Sequence, residues 1–173
     1  MKRAVSMVLS LCLVLSALSG CSGKKDSAPA AKTPEELTAL YAAAITDNGG
    51  EAVEYNPVVS AVSQEDGSAL MLQMMGLEEA DMAAFGLSIS LMNVQAYGIA
   101  AVMPAEGKEE AVKSALQGYI DQQKANFEFY LADQYEVASS ARLETLEDGT
   151  VLMVICEDQD AVFDAISAAI LEG

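Results

Sequence analysis

Apolar residues recur at helical spacing early in the chain, at every second position past residue 86, and without interruption in one late run. Thr33, followed by Pro34, Glu35 and Glu36, has the make-up of a helix start: a hydroxyl cap, a ring that presets φ, and acids in the first turn. Leu37, Leu40, Tyr41, Ala44 and Ile45 then mark one helical face until "DNGG" at 47–50 stops it. The pattern weakens over 51–67, which reads as an ordered loop or a poorly packed strand. "SALMLQMMGLEEADMAAFG" predicts a short helix, a turn at Gly76 and a second short helix opened by Glu78, Glu79 and Asp81. Leu87, Ile89 and Leu91 alternate with Ser88 and Ser90, as in a strand with one dry and one wet face. "GIAAVMPA" at 98–105 predicts a second strand, joined to the first by a tight connection over 93–97.

The longest helical pattern runs from about 108 to 131, with Val112, Leu116, Tyr119, Ile120, Gln123, Phe127 and Leu131 on one face. "ARLETLEDGTVLMVIC" predicts a hairpin, because Asp148-Gly149 suits the positive φ of a tight turn. Its second run, 151–156, is apolar at every position and so predicts a central strand covered on both faces. Glu157, Asp158 and Asp160 open a final helix over about 159–171, buried through Val162, Phe163, Ile166, Ala169 and Ile170. These elements predict an α+β fold: a mainly antiparallel four-stranded sheet with helices on one face, a ββαββα core preceded by N-terminal helices. The two ββα units have the order of a distant structural repeat. The nearest analogy is a two-layer ferredoxin-like plait, which carries no function with it.

The amino end reads differently. Lys2 and Arg3 precede an apolar run over 5–18 that is shorter than the ~20 residues needed to span a bilayer. "LSGC" at 18–21 then resembles the lipobox of bacterial lipoproteins, in which the Cys thiol receives a diacylglycerol and the leader is cut just before it. The expected organisation is a leader over 1–20, a lipid on Cys21 with a flexible tether to residue 33, and one domain over 34–173. A second acyl chain matters because one chain holds a protein to a membrane only marginally. The chain is thus expected outside the cytoplasm, on the cell membrane through its lipid, with Lys24, Lys25 and Lys32 adding attraction to anionic head groups.

Charge narrows the partners. All 26 acidic residues follow Cys21 and two of the nine basic ones precede it, so the mature net charge is 7 minus 26, or −19. Beyond residue 33 the basic residues are Lys108, Lys113, Lys124 and Arg142. Such a surface repels phosphates, which argues against nucleic acid; it serves solubility and is compatible with basic peptides or divalent cations.

Candidate chemistry is sparse. The chain has no His, which excludes Ser-His and Cys-His catalysis and imidazole-ligated metals, and no glycine-rich phosphate loop. With Cys12 in the leader and Cys21 lipidated, Cys156 is left alone, a buried hydrophobe without a cation to activate it. Glu157, Asp158 and Asp160, with Asp164 a turn later, offer oxygen ligands for Ca²⁺ but lack the spacing and central Gly of an EF-hand; capping of the last helix uses the same residues. Met71, Met74, Met75 and Met82 suit either core filling or a pliable binding surface. A carboxylate-only hydrolase stays open as an alternative, though a chain without Trp is poorly supplied for sugar stacking. The expectation is a non-enzymatic module, without a cofactor, that binds a protein, peptide or small ligand.

Three stretches, "LMLQMMGLEEADMAAFG", "QQKANFEFYLADQYEV" and "GTVLMVICEDQDAVFDAI", resemble a family of bacterial lipoprotein domains of unknown function found mostly in Gram-positive anaerobes. The resemblance implies membership over residue 34 to the end and no catalytic residues. The family commonly has Pro where Ala132 stands here, which bears on the stiffness of that corner.

Overall fold

The structure, a computed structural model, describes residues 32–63 and 67–173. Helix α1 (Pro34–Asn48) starts as its sequence dictates: the Thr33 hydroxyl accepts from the Glu36 amide at 3.3 Å and the Glu36 carboxylate accepts from the Thr33 amide at 2.8 Å. This reciprocal pair satisfies two amides that the first turn leaves without partners. The Gly49 amide closes the other end onto the Ile45 carbonyl. A 3-10 turn (Glu51–Glu54) follows, then α2 (Ser68–Met75), which ends at Gly76 with φ +68°.

The second helix expected after Gly76 is only a 3-10 turn (Glu79–Asp81), and the chain is extended from Met82 onward. Strand β1 (Met82–Ile89) sends Phe85, Leu87 and Ile89 to one face and Ala84, Gly86 and Ser88 to the other. Small residues on that second face hide the period of two, and tertiary packing sets them: a Cβ at Gly86 would lie 2.9 Å from the Tyr41 Cβ and 3.1 Å from the Tyr41 carbonyl carbon. Helix α1 therefore lies directly on β1, over the face expected to be wet. Ser88 is fully buried there, its hydroxyl donating to the Asn56 carbonyl at 2.6 Å. With that proton committed, the buried Tyr97 hydroxyl donates to Ser88 Oγ at 3.1 Å.

Strand β2 (Gly98–Pro104), α3 (Glu109–Phe127), a separate short helix α4 (Ala132–Ser139), β3 (Arg142–Thr145), β4 (Val151–Ile155) and α5 (Gln159–Glu172) complete the chain. The strands pair in the order β1-β2-β4-β3, antiparallel throughout. The α+β class and the antiparallel four-stranded sheet are as expected.

The helices, however, cover both faces of that sheet and not one. Met71, Met75, Leu116, Tyr119 and Phe127 from α2 and α3, with Ala138 from α4, meet Leu87, Ile89, Val102, Met153 and Ile155 on one face. Tyr41, Ile45, Phe163, Ile166 and Ile170 from α1 and α5 meet Ile99, Ala101, Leu152 and Val154 on the other. All five residues of β4 are fully buried, and each such side chain contributes roughly 1.5–3 kcal/mol of transfer free energy. A bare second face would forfeit much of that, so three layers replace the two-layer plait. The ββα units are not repeats either. A two-fold axis normal to the sheet, the operation that exchanges the two hairpins in this strand order, keeps each helix on its own face, whereas α3 and α5 lie on opposite faces.

A relay of hydroxyls ties α1 to the β3–β4 turn. Thr150 donates to Asp148 Oδ2 at 2.9 Å, so Tyr41, fully buried, donates to Thr150 Oγ1 at 2.7 Å. Gly149 at φ +92° supplies the turn predicted for it. This turn, the start of α1 beside Ala83 and the Asp81–Lys108 ion pair at 2.6 Å lie at one end of the sheet. The β1–β2 loop (90–97) and the α3–α4 corner (128–131) lie at the other.

Candidate functional site

Among the described residues neither the acidic tract nor Cys156 is placed in a cluster able to hold a metal ion. Arg142 of β3 reaches Asp160 and Asp164 of α5 at 3.4 and 2.9 Å and Glu144 at 2.7 Å, with its guanidinium 3.8 Å above the Phe163 ring. The Glu144 and Asp164 carboxylates hold the guanidinium pKa above its ordinary value, Glu144 most strongly. Asp158 stands at the cap position of α5 without a side-chain cap bond, and Glu157 is exposed beside it. Among the described residues no three acidic or Cys side chains are placed to hold a metal ion. Cys156, half-buried at the end of β4, has its thiol pushed up to about 11 by burial, which the Asp158 amide's hydrogen bond opposes and the Asp158 and Glu157 charges reinforce. Cys21, the leader and most of the tether lie outside the described residues.

The end of the sheet formed by the 90–97 loop and the 128–131 corner has a different character. Phe129 is 87% exposed, Val94 63%, Met92 60%, Tyr130 59% and Leu91 50%. Five large apolar side chains thus stand in solvent on two adjoining connections, where turn-forming polar residues are the norm. The two connections that carry them are tied together. The Tyr130 hydroxyl donates to the Asn93 carbonyl, the Ala96 amide donates to Gln134 Oε1 at 2.8 Å, and the Tyr130 ring lies 5.9 Å from the buried Phe127 ring. The first bond stitches the loop to the corner and the second stitches it to α4, across 37 and 38 residues of sequence.

Beneath the loop is a cavity of about 30 Å³, walled by Ser90, Met92 and Asn93 from the loop, Met74 from α2 and Tyr119, Gln122, Gln123, Asn126 and Phe127 from α3. Tyr119 is 98% buried by area, since only 2% of it is exposed, and its hydroxyl has no hydrogen-bond partner. Burial alone holds that phenol well above the ordinary tyrosine pKa. Gln123 is buried as well. Of the methionines, Met71 and Met75 fill the core, while Met74 is half-buried at the cavity wall. Tyr119, Gln123 and Phe127 were legible as the stripe of a long helix, but the exposed cluster was not singled out. Its signal was the apolar content of "LMNV" and "FEFYL" inside two connections.

Residues 59–156, more than half of the chain, match a family described as Domain of unknown function (DUF4358). The chain belongs to the DUF4358 family. The DUF4358 segment begins at Val59, which bridges to Leu87 at the outer edge of β1, and ends at Cys156 after β4. It therefore holds all four strands, α2, α3 and α4, the exposed cluster and the cavity, while α1 and α5 lie outside it. The match is narrower than the span from residue 34 to the end that the resemblance implied. No curated protein and no solved structure matches the chain.

Proposed function

We propose that the chain is an extracytoplasmic lipoprotein, anchored to the cell membrane through a lipid on Cys21, whose DUF4358 domain is a non-enzymatic module that binds a protein or peptide. The observation that supports it is the exposed cluster of Leu91, Met92, Val94, Phe129 and Tyr130 at one end of a strongly acidic domain. Aromatic and Met side chains presented on a fixed scaffold are the residue types that dominate binding at interface centres. The surrounding charge favours a partner of net positive charge and disfavours self-association or nucleic acid. Helix α1 starts at the end of the sheet remote from this cluster.

The test is selection of peptides from a random library on the mature chain carrying Cys21→Ser, which needs no detergent. Enriched peptides should be basic with at least one apolar anchor, bind saturably, and lose about 2 kcal/mol or more of affinity to the Phe129→Ser/Met92→Ser variant. Binders indifferent to that variant, or no enrichment, would refute the assignment of the surface.

A further inference from the structure

We infer that the cavity beneath the 90–97 loop is a pocket for an uncharged hydrogen-bonding group, a carboxamide or a hydroxyl, carried at the tip of a ligand whose apolar body rests on the exposed cluster. This deepens the proposed function and rests on the reading of that end of the sheet as a binding surface.

The Tyr119 hydroxyl is the first reason. Its ring is fixed by packing: a Cβ at Gly98 would come within 3.0 Å of Tyr119 Cε1 and 3.5 Å of both its hydroxyl oxygen and Met153 Cε. Phe would fill the same space without the desolvated oxygen, and a buried hydroxyl left unpaired weakens the fold. Folding therefore gives no reason for that oxygen, whereas a group entering the cavity gives it a partner.

The lining sets the chemistry of that group. Around the cavity stand the Ser90 hydroxyl and the carboxamides of Asn93, Gln122, Gln123 and Asn126, with no charged side chain among them. The Ser90 oxygen already accepts from the Met92 amide at 3.2 Å, so its own proton is available to donate. Gln123, 7% exposed, presents its carboxamide to the same cavity wall. Carboxamides and hydroxyls both donate and accept, so they match a ligand group that does the same. A charged group would lose its hydration without meeting a counter-charge.

Size then restricts how much of the ligand enters. One water needs about 10–15 Å³ measured this way, so a cavity of about 30 Å³ takes an end group or two waters and nothing larger. The rest of the ligand has to lie outside, where Met92 both lines the cavity and is 60% exposed.

The experiment uses propionamide and its charged isostere propionate as probes, titrated into the ¹⁵N-labelled mature chain with Cys21→Ser and followed by NMR. Propionamide should produce saturable shifts at the side-chain amides of Gln122, Gln123 and Asn126 and at the 90–97 backbone, and propionate should not. Tyr119→Phe should weaken propionamide roughly fivefold or more, the loss of one hydrogen bond, while its melting temperature stays equal to the parent's or rises. No saturable shift, an equal response to propionate, or unchanged binding by Tyr119→Phe would overturn the proposal and leave a pocket for water only. The outer surface is judged separately: Phe129→Ser should keep the propionamide shifts while losing the selected peptides, so failure of one reading is distinguishable from failure of the other.

Discussion

Replacing Gly86 with Ala tests the contact between α1 and β1. The new Cβ would lie 2.9 Å from Tyr41 Cβ, 3.1 Å from the Tyr41 carbonyl carbon and 3.3 Å from the Ala42 amide nitrogen. Ordinary carbon–carbon contacts are about 3.5–4.0 Å, so the helix must retreat by roughly half an ångström, because main-chain atoms cannot rotate aside. Tyr41 cannot follow freely, since its hydroxyl is held by Thr150 at 2.7 Å. Overpacking of this kind costs about 1–3 kcal/mol, and weakening the Tyr41–Thr150 bond adds about 1 kcal/mol. The expected loss is thus about 2–4 kcal/mol. The control is Gly118→Ala on the exposed side of α3, where a Cβ meets nothing within 4 Å; in mid-helix that change should stabilise by about 1 kcal/mol. Urea unfolding of the mature chain followed by far-UV circular dichroism reads both. A Gly86→Ala variant within about 0.5 kcal/mol of the parent, the range of an ordinary surface substitution, would refute the packing of α1 on this face.

Two further outcomes are expected. Arg142→Gln should cost about 1–4 kcal/mol in the same assay, since its three partly exposed ion pairs contribute ~0.2–1 kcal/mol each and the stacking on Phe163 ~0.5–1 kcal/mol. The deficit should shrink in high salt, which screens the repulsion left among Glu144, Asp160 and Asp164, and a deficit that grows with salt would contradict this. Stability should also fall steeply in alkali. Burial raises Tyr41 and Tyr97 to about 12 and Cys156 to about 11, against ordinary values of about 10 and 8.5–9. Because the folded pKa values are the higher ones, the fold holds these protons more tightly than the unfolded chain. Their contribution is complete below the unfolded values and is lost as pH rises through the folded ones. Urea midpoints at pH 8, 10 and 11 should fall progressively, and a flat profile would count against the burial of these groups.

Much of the architecture was legible, and the misreadings share a cause. The unbroken apolar run of β4 correctly indicated a strand covered on both faces, which already strained against helices on one side only. Ser88 and Ser90 read as a wet face because hydroxyls usually face solvent. Here close approach of α1 demands small residues, and the Asn56 carbonyl and Tyr97 satisfy the Ser88 hydroxyl, a partnership that exists only after folding. The same crowding placed Ala84 and Gly86 where an alternating pattern needs large groups, so the first half of β1 passed for helix. The break between α3 and α4 has no Gly or Pro to announce it. Tyr130 and Leu131 both turn their amides onto the Phe127 carbonyl, and Tyr130 is held by the distant Asn93. The cavity was unreadable for a related reason: Ser90, Tyr119 and Asn126 meet only through the pairing of β1 with β2 and the lie of α3.

In the proposed function the cluster at the 90–97 and 128–131 connections meets a partner while Cys21 holds the chain to the membrane. Site-specific photo-crosslinking measures this most directly, with benzoylphenylalanine placed at Phe129 in the full-length chain in the cells that make it, and at exposed Glu106 near the opposite end of the sheet as control. A discrete membrane-associated adduct is expected from position 129, none from 106, and release of the chain from the membrane fraction in the Cys21→Ser background. Equal adducts from both positions, no adduct from 129, or unchanged membrane retention of Cys21→Ser would contradict it.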